Sequence, residues 1–443
     1  MKPKALSERL QHFASQYGMV FVLLLLMLLF TVLTWKEQLP AGATAGEQVA
    51  NHILQARGSE TVVIIVAGDS QVEQLFAEAV HARLTAAGAT VAAKVTGIPA
   101  DARRAITATL ESGPRLTHLA VSGMADRWSV LDQFSEEQAG VRVAPLPYYW
   151  PVFAQVNNLL NIANQTAIYA IIAVGMTMVI ITGGIDLSVG SLVALASVTT
   201  AVLIRRLGGA EAGFAVMLLG ALAGLGICGA AGGFHGLMVT QFRIPPFIVS
   251  LSMMMMARGL AFLMADGESV AISPSGWTTI GAGTLFGIPV PVLLMVVLYM
   301  VAHVIMVHTS FGRYIYAVGG NQEAARLCGV PVKRVLLAVY IVCGTLAGVA
   351  GIVLSSKLAS GDPKLGVMYE LEVIAAVVVG GTSLMGGEGR VLGTLIGAFI
   401  IAVIKNGMNL LNVGAYEQQI ILGAVLLVAV LLDNIKRQRS AVR

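Results

Sequence analysis

The sequence predicts an all-α polytopic membrane protein of about ten transmembrane helices, with an extracytoplasmic α/β domain inserted after the first. Three observations carry that expectation. Of the 443 residues, 56% are hydrophobic and only 12% are charged, too apolar for an ordinary soluble protein of this size. Apolar runs close to the roughly 17 to 25 residues needed to cross a bilayer recur along the chain. One interval, 37–150, interrupts them, holds many of the charges and alternates strand-like with helix-like periodicity.

Taken in order, residues 1–36 carry Lys2, Lys4 and Arg9 before an apolar run at 19–34. This reads as a cytosolic N-terminus and a retained first helix; the small residues Ala41-Gly42-Ala43-Thr44-Ala45 leave a cleaved signal peptide as the alternative. The interval 37–150 then reads β-α-β-α-β: a buried strand at 61–67, a helix at 71–87, a strand at 90–95, a helix at 101–110 and a strand at 118–122. Such alternation implies a small parallel sheet with flanking helices. Gly68-Asp69-Ser70 lies where open sheets of this kind bind ligands, and equally where a plain turn would cap the next helix.

The transmembrane core, 151–435, holds spans near 165–182, 188–204, 213–238, 246–264, 290–308, 335–356, 371–384, 391–411 and 418–433, before a tail at 436–443. With the first helix the total is about ten, so both termini share one side. Basic residues put that side in the cytoplasm: Lys2, Lys4, Arg9, Arg243, Arg313, Arg326, Lys333, Arg334, Arg390, Lys436, Arg437, Arg439 and Arg443 fall inside, against Arg205, Arg206, Lys357 and Lys364 in outer short loops. The net charge of +4 is spread over these loops and termini without forming a basic face, so no nucleic-acid partner is expected. Cys228, Cys328 and Cys343 lack CxxC spacing and read as small core residues, not as disulfides or zinc ligands.

Two spans are interrupted. Gly183-Gly184-Ile185-Asp186-Leu187-Ser188 breaks the run that begins near residue 165, and Gly380-Gly381-Thr382-Ser383 ends the run through Val377-Val378-Val379. Gly183, Gly184, Gly380 and Gly381 weaken the helix, while Asp186, Ser188 and Ser383 supply polar groups to the opened backbone, which only protein or water can satisfy. Corresponding breaks in two halves are the pattern of transporters built from repeats, so these residues are candidates for a pathway; the plainer reading is that Asp186 merely caps a helix at the cytosolic surface and touches no solute.

Between the halves lies a basic stretch, 312–334, holding a short helix from Asn321 to Cys328. Asn321 is a good N-cap, Glu323 stands in the first turn, and Gly329 with Pro331 provides the stop. Two turns of helix are marginal alone and need something to pack on, either a docked partner or the membrane surface; facing a partner, Glu323 and Arg326 would present polar contacts while Leu327 helps anchor the helix.

Ala173-Val174-Gly175-Met176-Thr177, Gly184-Ile185-Asp186-Leu187-Ser188-Val189-Gly190-Ser191, Gly312-Arg313-Tyr314-Ile315-Tyr316-Ala317-Val318-Gly319-Gly320-Asn321, and Gly380-Gly381-Thr382-Ser383-Leu384 with Gly393-Thr394-Leu395-Ile396-Gly397-Ala398 occur in that order. In these pieces, over about 150–435, the chain resembles the permease subunits of ribose-type sugar ABC importers. The resemblance implies a type II importer permease in a bacterial inner membrane that passes a pentose or related polyol by alternating access. It implies as partners an ABC ATPase subunit inside, a sugar-binding protein outside, a second permease copy and surrounding lipid. It places the coupling to the ATPase at Gly319, Gly320, Asn321, Glu323, Ala324, Ala325, Arg326 and Gly329. The outer insertion departs from the family's usual pattern.

No G-x-x-x-x-G-K-[ST] occurs, so the chain is not expected to hydrolyse ATP, and no cofactor, metal or catalytic residue is expected. Asp186-Leu187-Ser188-Val189-Gly190 misses the nucleophile elbow at its first glycine, and His235 and His303 read as isolated. Arg258 and Lys405 read as snorkelling cations, or as functional charges. The competing class is an ion-coupled secondary transporter, which would want buried acids in several spans, where the sequence offers chiefly Asp186, Glu370 and Glu372.

Overall fold

The computed structural model describes residues 4–57, 61–112 and 115–441, with side chains described within 18–431. Lys2 and Arg443, read above as topology signals, lie outside the described residues. The chain forms two units, Met1–Thr34 with Val152–Arg443, and Trp35–Pro151.

Among the described residues of the first unit seven helices are long and apolar enough to cross a membrane: Val156–Ile181, Val189–Leu207, Phe214–Gln241, Pro246–Met264, Val290–His308, Val332–Leu358 and Val391–Leu410. The other three expected spans differ. Gly18–Leu33 and Ala415–Leu431 are shorter apolar helices. The span expected at 371–384 is an 11-residue helix, Tyr369–Val379. At about 1.5 Å per residue it covers roughly half the hydrocarbon thickness, because the glycines that follow stop it. Helix Val332–Leu358 lies at the centre and packs on Val156–Ile181, Val189–Leu207 and Phe214–Gln241. Phe214–Gln241 carries small residues at every fourth position, Gly220, Gly224, Cys228, Gly232 and Gly236, all buried: Gly220 and Gly224 lie against Val189–Leu207, Gly232 and Gly236 against Val332–Leu358. A Cβ at Gly232 would stand 2.3 Å from the Tyr340 carbonyl oxygen, so the backbones nearly touch.

The unit Trp35–Pro151 opens and closes on a ribbon in which Trp35–Gln38 runs antiparallel to Tyr148–Pro151. Inside it lies a four-stranded sheet, in the order Thr90–Thr96, Val62–Ala67, His118–Val121, Val141–Val143, with every pairing parallel. Val62–Ala67 reads as a continuous apolar run because both its faces are covered. Val63 and Ile65 pack with Phe76, Val80 and Leu84, while Ile64 and Val66 pack with Ile106, Leu119 and Leu131. Helix Gly42–Arg57 and strand Val141–Val143 have no counterpart in the sequence reading; the helix packs on Gln71–Ala86 and the three-residue strand pairs with His118–Val121, contacts that lie far off in the sequence. At Gly68-Asp69-Ser70 the turn closes on its own helix: Gly68 N–H donates to Glu73 Oε2 at 3.0 Å, and Glu73 N–H donates to Ser70 Oγ at 3.3 Å.

A fragment spanning residues 35–151 is expected to unfold in one cooperative transition, and Phe76→Ala, which empties a fully buried site, should cost it about 3–5 kcal/mol by urea denaturation. Non-cooperative melting of the unsubstituted fragment would show that the sheet cannot stand alone.

Candidate functional site

The two glycine breaks are built alike. Helix Val156–Ile181 ends with Gly183 at φ +80°, where Gly183 N–H donates to Ile180 O and Gly184 N–H donates to Val179 O. Helix Tyr369–Val379 ends with Gly381 at φ +83°, where Gly381 N–H donates to Val378 O and Thr382 N–H donates to Val377 O. Each is a Schellman ending with glycine in the left-handed position that other residues enter only with strain. This shared ending is the physical content of the echo seen in the sequence.

The structure brings these ends together with a third element. Residues 310–320, read as loop, form helix Ser310–Gly320, started by Thr309, whose hydroxyl accepts from Gly312 N–H. Gly387 N–H donates to the Ile181 carbonyl at 2.8 Å, one that the Schellman ending leaves free. Over this bond lies Gly319: a Cβ there would stand 1.7 Å from Ile181 O and 2.7 Å from Gly387 N. Gly386 and Gly387 lie against Gly183, Gly319 and Gly320, and Tyr316 donates its hydroxyl hydrogen to Gly389 O at 2.9 Å. So Gly183, Gly319, Gly320, Gly386 and Gly387 meet at one backbone junction, with Gly380 and Gly381 on the short helix that leads into it. Ser383 is buried beside the junction; its N–H donates to Glu388 O and its hydroxyl accepts from Met385 N–H.

Asp186 is not a surface cap. It is 0% exposed, and its Oδ1 accepts from both the N–H (2.9 Å) and the hydroxyl (2.6 Å) of Ser188, itself buried, just before helix Val189–Leu207 begins. Its Oδ2 faces Nδ1 of His235, 1% exposed, at 3.6 Å. The imidazole stacks on Tyr340, with ring centroids 4.1 Å apart. A Cβ at Gly184 would meet the Tyr340 hydroxyl at 2.5 Å. His235 is therefore not isolated: the break, helix Phe214–Gln241 and helix Val332–Leu358 are tied at one buried point, and no sequence spacing announces it.

Beyond the junction, Gln322–Leu327 is the short helix expected at 321–328. The Asn321 side chain accepts from Ala324 N–H at 2.9 Å, and Gly329, at φ +82°, ends the helix with the same Schellman pair, Gly329 N–H to Arg326 O and Val330 N–H to Ala325 O. Glu323 and Arg326 form an exposed ion pair at 2.8 Å. The side chain that seats the helix is Ala325, 5% exposed; Leu327, expected to anchor it, is 83% exposed. Cys328, expected in the core, is exposed, whereas Cys228 and Cys343 are buried.

Away from the junction a cavity of about 370 Å³ lies between helices Val156–Ile181, Val332–Leu358, Tyr369–Val379 and Val391–Leu410. Lys405, expected to snorkel, instead donates to Glu372 Oε1 at 2.9 Å and stands 5.2 Å from the Tyr169 ring centroid. Tyr169 in turn lies 4.6 Å from Tyr369. Arg258 is held as well: its Nη1 donates to the carbonyls of Pro363 and Leu365 at 2.7 and 2.6 Å. Both cations are fixed by protein groups because a charge without a partner is costly at this depth. Among the described residues no cluster of three His, Cys, Asp or Glu side chains could hold a metal.

Residues 158–430 match the family described as branched-chain amino acid transport system / permease component. The chain is 45% identical over 293 residues to the ribose import permease protein of Escherichia coli K12, covering 65% of this chain and 88% of that protein. It is 43% identical to the ribose import permease protein of Bacillus subtilis 168, over 66% and 88% of the two chains. To the L-arabinose transport system permease protein of Escherichia coli K12 it is 37% identical, over 65% and 86%. No solved structure matches it significantly.

Two neighbouring glycines test the junction. Gly319→Ala must displace the Ile181 or Gly387 backbone and should lower stability in detergent by at least about 1–3 kcal/mol. Gly320→Ala, with open space at its Cβ position, should change it by under about 1 kcal/mol in a thermal size-exclusion assay. In the same assay Asp186→Ala should cost about 1–3 kcal/mol for each Ser188 donor left without an acceptor.

Proposed function

The chain belongs to the branched-chain amino acid transport system / permease component family, and from that premise we propose that it is the membrane subunit of an ATP-driven monosaccharide importer. The observation that carries the solute class is its similarity to permeases named for ribose and L-arabinose, over most of their length. A pentose or a related polyol is the proposed cargo. The chain itself is a multi-pass membrane protein, and the hydrolysis that drives it belongs to a separate ATPase subunit docked on the cytoplasmic side. A second copy completes the pathway, and a sugar-binding protein delivers the solute from outside. Both termini lie in the cytoplasm, which the distribution of Lys and Arg between loops supports. The unit Trp35–Pro151 lies outside and contacts the binding protein.

Coupling rests on the glycine junction. The helix Gln322–Leu327 presents Glu323 and Arg326 to the ATPase, and its predecessor Ser310–Gly320 ends with Gly319 on the Ile181–Gly387 hydrogen bond. A push on the short helix therefore reaches both interrupted helices at once, without a flexible side chain between. That geometry supports alternating access driven from the cytoplasm.

The test is uptake of radiolabelled D-ribose and L-arabinose into proteoliposomes holding the permease, its ATPase and its binding protein. ATP-dependent accumulation is expected. Uptake under a proton or sodium gradient without ATP would replace this reading with an ion-coupled carrier. In the same assay Ala325→Pro, which removes the Ala325 N–H to Asn321 O bond and clashes with the preceding turn, should cost the helix about 3 kcal/mol or more. The variant should insert in the membrane yet neither retain the ATPase nor import sugar; normal uptake by an inserted Ala325→Pro protein refutes the coupling role.

A further inference from the structure

We infer that the cavity between the two interrupted helices is the station at which a single neutral sugar ring is held during passage, with Tyr169, Tyr369, Glu372 and Lys405 as its contacts. The inference rests on the importer reading above and adds to it the site and the chemistry of recognition. It begins from a conflict in the packing. Four helices of a membrane core line an open cavity of about 370 Å³ and turn an ion pair toward it, although apolar side chains would fill the space at lower cost. The pair is not sealed away. Lys405 and Glu372 keep 30% and 21% of their side-chain surface accessible, unlike Asp186 and His235, which are about 1% exposed and out of reach of any solute.

The groups that remain reachable match a sugar. A monosaccharide has a ring of hydroxyls that both donate and accept, and one or two faces of C–H bonds. The Lys405 ammonium offers donors, the Glu372 carboxylate offers acceptors, and because they neutralise each other they favour a polar solute without net charge. Lys357, also in the lining, stands in the last turn of Val332–Leu358, where the helix dipole offsets its charge. The tilted rings of Tyr169 and Tyr369, 4.6 Å apart, supply flat apolar surfaces for the C–H face. The volume lies at the low end of the roughly 300–1,000 Å³ of small-molecule sites, suited to one ring and too small for an oligosaccharide.

Position adds the second line of argument. Tyr169 is on Val156–Ile181 and Tyr369 on Tyr369–Val379, the two helices whose far ends meet at the glycine junction. By the rise of a helix Tyr169 lies about 18 Å from Ile181, and Tyr369 about 15 Å from Val379. Two rigid rods thus connect the junction to the adjoining aromatic pair in the cavity wall. A displacement of Ser310–Gly320 moves the aromatic pair without unfolding anything between.

The experiment uses the complete importer in proteoliposomes, with D-ribose and L-arabinose as probes, and measures uptake, ATP hydrolysis and the amount of assembled complex. Tyr169→Leu keeps an apolar side chain and loses the ring. It should lower uptake about tenfold and change the ribose-to-arabinose ratio, while ATP hydrolysis and assembly stay within about twofold of the unsubstituted complex. Tyr169→Phe should retain uptake within about twofold. The double variant Glu372→Gln with Lys405→Met, which removes both charges and leaves no unpaired ion, should show the same selective loss and serves if Tyr169→Leu fails to assemble. Unchanged uptake in both variants overturns the inference and leaves the importer standing. Uptake and ATP hydrolysis falling together in the assembled variants also overturns it, since that is what a structural role predicts. An unsubstituted complex that moves neither sugar removes the importer reading, and this inference with it.

Discussion

A single backbone hydrogen bond, Gly387 N–H to Ile181 O, organises the inner architecture of this protein. It joins the end of helix Val156–Ile181 to the loop that follows helix Tyr369–Val379, and both helices stop in a Schellman turn. Gly183 and Gly381 take the left-handed conformation, close their last carbonyls by N–H groups of the turn, and leave the Ile181 carbonyl pointing outward. The space above the bond is so shallow that Gly319 alone fits, with its Cα where any Cβ would collide. An irregular backbone in a membrane survives where every polar group finds protein, and here three irregular segments satisfy one another.

The buried tie at Asp186 complements that junction. Ser188 donates two hydrogen bonds to the Asp186 carboxylate, and His235 brings a helix from elsewhere in the chain against the other oxygen. Tyr340 closes the group by stacking on the imidazole and filling the space beside Gly184. Because removal of one member of such a group strands the others without water, the break is held rigidly on three helices.

Elsewhere the chain handles charge by the same logic of fixed partners. Arg258 spends its guanidinium on two carbonyls of the loop preceding Tyr369–Val379, and Lys405 on Glu372 inside that helix. Both interactions hold the short helix, which cannot span the membrane and would otherwise have only apolar packing to fix its height. Thr177 and Thr394 share a hydroxyl hydrogen bond of 2.7 Å lower down, joining the helix before the first break to the one after the second.

Much of this was legible in the sequence, and the reason is local. Runs of apolar residues, the Gly-Gly breaks, the Asn321 cap and the Gly329 stop are rules of neighbouring residues, and the structure follows them with helix ends where glycine or capping side chains stand. The strand-helix alternation at 61–122 belongs to the same class, since periodicity records which face an element buries. The similarity of residues 158–430 to a permease family is likewise a property of the order of residues alone. What only the tertiary structure decided are the meetings between distant segments. Nothing local says that Gly319 must lie over Ile181 and Gly387, that His235 finds Asp186, or that Lys405 pairs with Glu372 and does not reach for solvent. The glycine and cysteine stripe of Phe214–Gln241 at every fourth residue was a signal that could have foretold one close helix pair, but not which partner it would meet. Leu327 and Ala325 show the limit most plainly. Hydrophobicity favours the leucine as the anchor, whereas the room available under a two-turn helix admits only the alanine, and room is set by everything the helix packs against.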